Sequence, residues 1–145
     1  MASVTASSAL DLSGDLVVYA ARLIRLMKRT QDLPAGTRML SLLDEHGPLG
    51  ITALAHLDGC SQPTMSAAVA NLVDAGLVSK QPNPNDARGC VITLTDAGSQ
   101  RLNDVRAQHA QTVAARLGSH DLDDLATAVA VLRDLLDSDE TDTHS

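Results

Sequence analysis

The residues best placed to do chemistry lie in GCSQPTMSAAVANLVDAGLV, residues 59–78, where side-chain amides and hydroxyls recur without a single Lys or Arg. On a helix that follows Ser61, Met65, Ala68, Val69 and Leu72 fall on one apolar side, and Gln62, Pro63, Ser66, Ala67 and Asn71 face outward. Gln62 and Asn71 can each offer a paired donor and acceptor to adenine, Ser66 can bond a base or a phosphate, and Ala67 can meet a thymine methyl. Ser61, Thr64, Ser66 and the backbone N–H groups near Ser61 can also donate to phosphate. The alternative at each position is an ordinary solvated side chain.

Positive charge has to come from elsewhere. Arg88 follows the turn-forming cluster Pro82-Asn83-Pro84-Asn85-Asp86, and an Arg at a hairpin tip can enter a narrow minor groove, where the potential is most negative. Asp86 is spaced to orient that guanidinium through a paired carboxylate; the alternative is a surface ion pair that holds the loop. Lys80, Arg38 and Thr37 are further candidate phosphate contacts. Arg22, Arg25, Lys28 and Arg29 cluster early in the chain, either as a solvated face or with Arg22 or Arg25 pairing the carboxylate of an anionic ligand. Cys60 precedes a helix start, where a thiol pKa can fall and a redox switch becomes conceivable, although an inert cysteine fits as well. Cys90 reads as a small strand residue. His46, His56, His109, His120 and His144 show no tight ligand spacing, so no metal site and no cofactor is expected.

The elements that must position these residues follow from periodicity. Ser8-x-x-Asp11 resembles a capping box opening a helix to about Gln31, with Leu12, Leu16, Tyr19, Leu23 and Leu26 spaced four, three, four, three. A second helix is predicted over 34–45, stopped by Gly47 and Pro48. Thr52 is expected to cap a short helix over 53–57 that ends at Asp58-Gly59, and Ser61 to cap the next, with Pro63 in its first turn and Gly76 at its end. Two helices joined by a turn of three or four residues containing Gly form a helix-turn-helix. Residues 77–81 and 90–94 read as strands of a hairpin, or wing, and Thr95 as the cap of a long helix through Arg116, with Leu102, Val105, His109, Val113 and Leu117 on one side. A last helix opens near Ser119 and carries Leu122, Leu125, Val129, Leu132 and Leu136 at heptad spacing. Either terminal stripe can close the molecule's own core; two on so short a chain favour a dimer interface.

The chain has 145 residues, 44% of them hydrophobic, enough for one compact domain or for one small domain plus an association surface. With no Phe or Trp and one Tyr, the core must be built from Leu, Val, Ala, Ile and Met, a composition that suits helices. Formal net charge is −7, but the eight carboxylates between Asp121 and Asp142, opposed only by Arg133, account for all of it. The first 120 residues are neutral, so total charge does not exclude a polyanionic partner. No apolar leader or membrane-length stretch is seen, which predicts a cytoplasmic protein.

The segment IxxLAxxxxxSQPTMSxxVxxLVxAGLV followed by PNPNDARGCVITLTDAG, set between helical flanks, resembles the MarR family of winged helix-turn-helix transcriptional regulators. The likeness runs from about Ala9 to Leu136, and its most specific part is Pro84, Asp86, Arg88, Leu94-Thr95 and Gly98. It implies a mainly α fold with a small β-hairpin: helical dimerisation regions over 8–33 and 99–137, a winged helix-turn-helix over 34–98, and polar tails over 1–7 and 138–145. It also implies a homodimer joined through its terminal helices that binds double-stranded DNA at a near-palindromic site, one motif helix per major groove and one wing per minor groove. Most members repress transcription and release DNA when a small phenolic ligand, a metal or an oxidant arrives. Many relatives carry Arg near position 67, where this chain has Ala, which puts guanine readout there in doubt.

Two other classes are to be weighed. A winged-helix protein-interaction module without DNA binding would suit the uncharged helix. A thiol enzyme built on Cys60 lacks a His-plus-carboxylate constellation, and no pattern of catalytic acids, phosphate-binding glycines or a serine triad points to another enzyme.

Overall fold

The computed structural model describes residues 2–30 and 36–138. The described residues form eight elements in the order α1 (Ala2–Thr30), α2 (Thr37–His46), α3 (Ile51–Asp58), α4 (Gln62–Asp74), β1 (Val78–Asn83), β2 (Asp86–Leu94), α5 (Asp96–Ala115) and α6 (Leu122–Asp137). They divide into two compact units, Met1–His109 and Ala110–Ser145. The fold is mainly α with one antiparallel hairpin, the class expected from the sequence.

In the first unit, α2, α3, α4 and the base of the hairpin enclose the core. Leu40, Leu54, Met65, Val69 and Ile92 are its most deeply buried large side chains, and Met39, Leu43, Leu72, Leu77, Val78 and Leu102 complete it. Met65, Val69 and Leu72 are all buried on one side of α4. Aliphatic and Met side chains therefore do the work that aromatics do elsewhere.

The junction between α3 and α4 is fixed by local chemistry. Gly59 takes φ of 75°, a left-handed conformation that suits Gly, and donates to the Ala55 carbonyl at 2.9 Å while Cys60 N–H donates to the same carbonyl at 3.0 Å. Ser61 then caps α4: its Oγ accepts from Thr64 N–H at 3.2 Å, and Pro63 lies in the first turn.

β1 pairs with β2 from Val78 opposite Leu94 to Pro82 opposite Cys90, then shifts register so that Asn83 faces Asp86. Pro82 has no N–H to give the ladder, and the shift at this point leaves Ala87, Arg88 and Gly89 outside regular pairing. Leu49 and Ile92 exchange backbone bonds of 3.2 and 2.7 Å, tying the hairpin base to the segment before α3. Thr95 secures the other end: its Oγ1 accepts from Gly98 N–H at 3.1 Å and donates to the Gly76 carbonyl at 2.6 Å.

In the second unit, Asp121 and Asp124 form a reciprocal capping box at the start of α6, and among its described residues α6 has no buried side chain.

Several boundaries differ from expectation. α1 already begins at Ala2, so Ser8 is interior rather than a cap; no Gly or Pro between Ala2 and Ser13 interrupts the helix. The expected start of the second helix at Pro34 and the expected end of the first at Gln31 lie outside the described residues, as does the chain beyond Ser138. Thr52 is not a cap, since Gly50 precedes α3 with no side-chain cap bond. Asp121, not Ser119, opens α6 because the Asp121–Asp124 pair satisfies two helix-end N–H groups. Both strands reach further into the turn cluster than 77–81 and 90–94. Among the described residues, no helix is long and apolar enough to cross a membrane.

Candidate nucleic-acid interface

α4 turns its buried stripe inward, and Gln62, Pro63, Ser66, Ala67 and Asn71 are all exposed, as the spacing predicts. Ala70 is exposed too, and with Pro63 and Ala67 it continues a line of small apolar groups along the outer face. The sequence carried that signal, since Ala70 is three residues beyond Ala67 and seven beyond Pro63.

The polar groups at the start of α4 are not equally free. Ser61 Oγ donates to Thr64 Oγ1 at 2.8 Å while it accepts Thr64 N–H, so the Ser61 hydrogen expected to reach a phosphate is spent inside the cap. Thr64 keeps its own hydroxyl hydrogen for an outside acceptor. Gln62 Nε2 donates to Thr52 Oγ1 at 3.0 Å, a bridge between the two motif helices.

The cations are distributed over the flanks. Lys80 is exposed on β1 and Arg88 at the wing tip. Asp86 does sit beside Arg88, but its Oδ1 accepts the Arg88 backbone N–H at 3.0 Å, an Asx turn that shapes the loop instead of the expected carboxylate–guanidinium pair. Asn83 Oδ1 does the same for Asn85 N–H at 3.0 Å. Arg38 differs from expectation as well: its Nε lies 2.6 Å from Asp58 Oδ1, so a phosphate would have to share or displace a carboxylate. Thr37 opens α2 one residue ahead of it.

One cation escaped sequence reasoning. Arg101 of α5 lines a cleft of about 270 Å³ together with Ala68 and Asn71 of α4 and Ala75 just beyond its end. Nothing local to Arg101 announces this, because the approach of α5 to α4 is a tertiary contact.

Cys60 is half-buried, and its thiol pKa is raised, chiefly by desolvation and then by the neighbouring charge and hydrogen bond of Asp58. These effects oppose the lowering expected from a helix start and favour the protonated thiol. Alkylation of Cys60 at pH 8 in a Cys90→Ser background is therefore expected to be slower than that of an unstructured cysteine. Asp58→Asn should accelerate it several-fold, and an unchanged rate in that variant would contradict the assignment to Asp58. Cys90 is exposed on β2.

On α1, Tyr19, Arg22, Leu23, Arg25, Leu26, Lys28 and Arg29 line an open groove of about 780 Å³, and the Arg22 guanidinium lies 5.5 Å from the Tyr19 ring centre. Leu12, Leu16, Tyr19 and Leu23 are exposed on this helix. On α6, Leu122, Val129, Leu132 and Leu136 are exposed and Leu125 is half-buried. Among the described residues, no three His, Cys, Asp or Glu side chains converge as a metal site would require.

A model of the MarR family matches residues 34–90, the span of α2 to the wing. An HTH-type transcriptional regulator of Mycobacterium leprae, ML2140, is 27% identical over 133 residues, covering 87% of this chain and 93% of that protein. A MarR family protein from Bacillus stearothermophilus superposes with a TM-score of 0.68 at 21% identity over 90% of this chain and 94% of its own. A point mutant of MepR from S. aureus, solved bound to an oligodeoxyribonucleotide, has a TM-score of 0.60 at 20% identity, covering 84% and 96% of the two chains. The motif helices, the Asx-turned wing, the matched segment and these relatives agree: the chain has a winged helix-turn-helix fold, and its segment from α2 to the wing is similar to the MarR family of transcriptional regulators.

Proposed function

We propose that the protein is a homodimeric, sequence-specific DNA-binding regulator that acts as a repressor in the cytoplasm. The observation that carries this reading is the division of labour in the first unit. α4 offers an exposed face of amide, hydroxyl and methyl groups, and Arg88 is exposed at the tip of a hairpin whose loop is held by its own side chains. Phosphate contacts position a protein on the duplex while base contacts specify the sequence, so an uncharged reading helix is physically sufficient when flanking cations hold the backbone. In this reading Gln62, Pro63, Ser66, Ala67 and Asn71 face the major groove, and Thr64 and Lys80 face phosphates. Arg38 contributes there only in competition with Asp58. Arg88 enters the minor groove, with Asp86 shaping its loop.

A two-fold dimer would read a near-palindromic site with half-sites roughly 34 Å apart. Dimerisation is supported separately on each unit by apolar side chains left in solvent, among them Leu12 at 67% exposure and Leu122 at 78%. Leu132→Glu is expected to turn a dimer into a monomer by sedimentation and to weaken operator binding at least tenfold, by loss of the linked second half-site. A wild type that sediments as a monomer would sink the dimer.

Release by a small anionic or phenolic effector is the regulatory half of the proposal, with Arg22 and Arg25 on the α1 groove as the groups that would pair its carboxylate. Gel shifts against DNA fragments selected by the purified chain test the DNA-binding half. Binding indifferent to salt, or none, would leave a protein-interaction module as the better account.

A further inference from the structure

Gln62 is the first residue of α4 and Thr52 the second of α3, so the bond between them joins the two motif helices across the turn. Both side chains are exposed, and the bond, Gln62 Nε2 to Thr52 Oγ1 at 3.0 Å, is made on the surface where α4 offers its polar groups. A glutamine amide has two unlike ends: two N–H donors and a carbonyl acceptor. With one Nε2 hydrogen on Thr52, the amide keeps its second N–H and its acceptor Oε1 for an outside partner. An exposed glutamine without such a tie loses more rotamer freedom on binding.

We infer that Thr52 is a positioning residue for base reading: it restrains Gln62 so that Oε1 and the second N–H are held for one base edge. In the major groove adenine presents the matching pair, N6 donating beside the N7 acceptor, whereas guanine N7 and O6 both accept. The base on the strand facing Gln62 is then A. The inference rests on the proposed insertion of α4 into the major groove and goes beyond it by fixing what one side chain can read and which neighbour makes it do so. Thr52 touches no base in this account; it acts through Gln62.

The test is selection from a random DNA library by the full chain, followed by sequencing, for wild type, Gln62→Ala, Thr52→Val and Thr52→Ser. The half-site position at which Gln62→Ala loses its preference defines the base that Gln62 reads. Wild type is expected to take A there on one strand. Thr52→Val, nearly isosteric at an exposed site, should lower that preference roughly tenfold while leaving the other positions and the salt dependence unchanged. Thr52→Ser, which keeps the hydroxyl, should restore it. A Thr52→Val profile identical to wild type at every position, or a guanine at the Gln62 position, would overturn the inference while leaving DNA binding intact. Failure of wild type to select any sequence would overturn the proposed function and this inference together.

Discussion

Arg88→Ala is expected to weaken operator binding by about 10- to 100-fold and to lower the slope of log K against log salt by about 2 for a dimer, one charge per wing. The size of the effect follows from how little other charge is available. α4 carries no Lys or Arg, Arg38 is engaged by Asp58, and Arg101 lines a cleft beside Asn71. Arg88 is exposed, and its loop is set by the Asp86 carboxylate on the backbone amide instead of by a carboxylate on the guanidinium. The guanidinium can therefore meet an outside anion without first giving up that carboxylate. Lys is not an equivalent replacement, because a narrow minor groove favours the less strongly hydrated guanidinium. Arg88→Lys should recover the salt slope but only part of the affinity. A full-strength Arg88→Ala protein would mean that the wing does not touch DNA.

Gly98→Ala should be the most damaging small substitution in the winged unit, costing about 3 kcal/mol of stability. A Cβ at this position would collide with the Leu77 carbonyl oxygen and lie 3.0 Å from its carbon. That oxygen is backbone and accepts the Thr95 N–H at 3.1 Å, so it cannot swing aside as a side-chain tip would. The close approach of α5 to the α4–β1 connection thus depends on a residue without a side chain. Urea unfolding at fixed protein concentration should show a lower midpoint with an unchanged slope. A midpoint within error of wild type would show that the contact relaxes at no cost.

The winged unit was readable where local chemistry decides the outcome. Ser61 as a cap, Pro63 in the first turn, Gly59 in the left-handed turn, and Met65, Val69 and Leu72 facing the core all follow from spacing and residue type. Helix starts were less legible wherever Ser, Thr and Asp offered several caps in a row. Thr52 looked like a cap and Ser119 like the start of the last helix, yet Gly50 precedes α3, and Asp121 opens α6 in a capping box with Asp124. The outward positions of α4 were legible but not their hydrogen bonds. Nothing in the sequence says that Arg38 meets Asp58 twenty residues away, that Ser61 spends its hydrogen on Thr64, or that Gln62 leans on Thr52. Those choices depend on how the helices cross, which periodicity does not encode.

The most direct test of a DNA-reading helix without charge is a titration of the full chain against its selected site and a scrambled duplex of the same length over a range of salt. The account predicts that binding to both falls linearly in log K with log salt, because flanking cations hold phosphates in either case. It also predicts that the selected site is favoured by at least about 10³-fold at physiological salt, because α4 still reads bases. Equal binding to the two duplexes, or no binding to either, would contradict it.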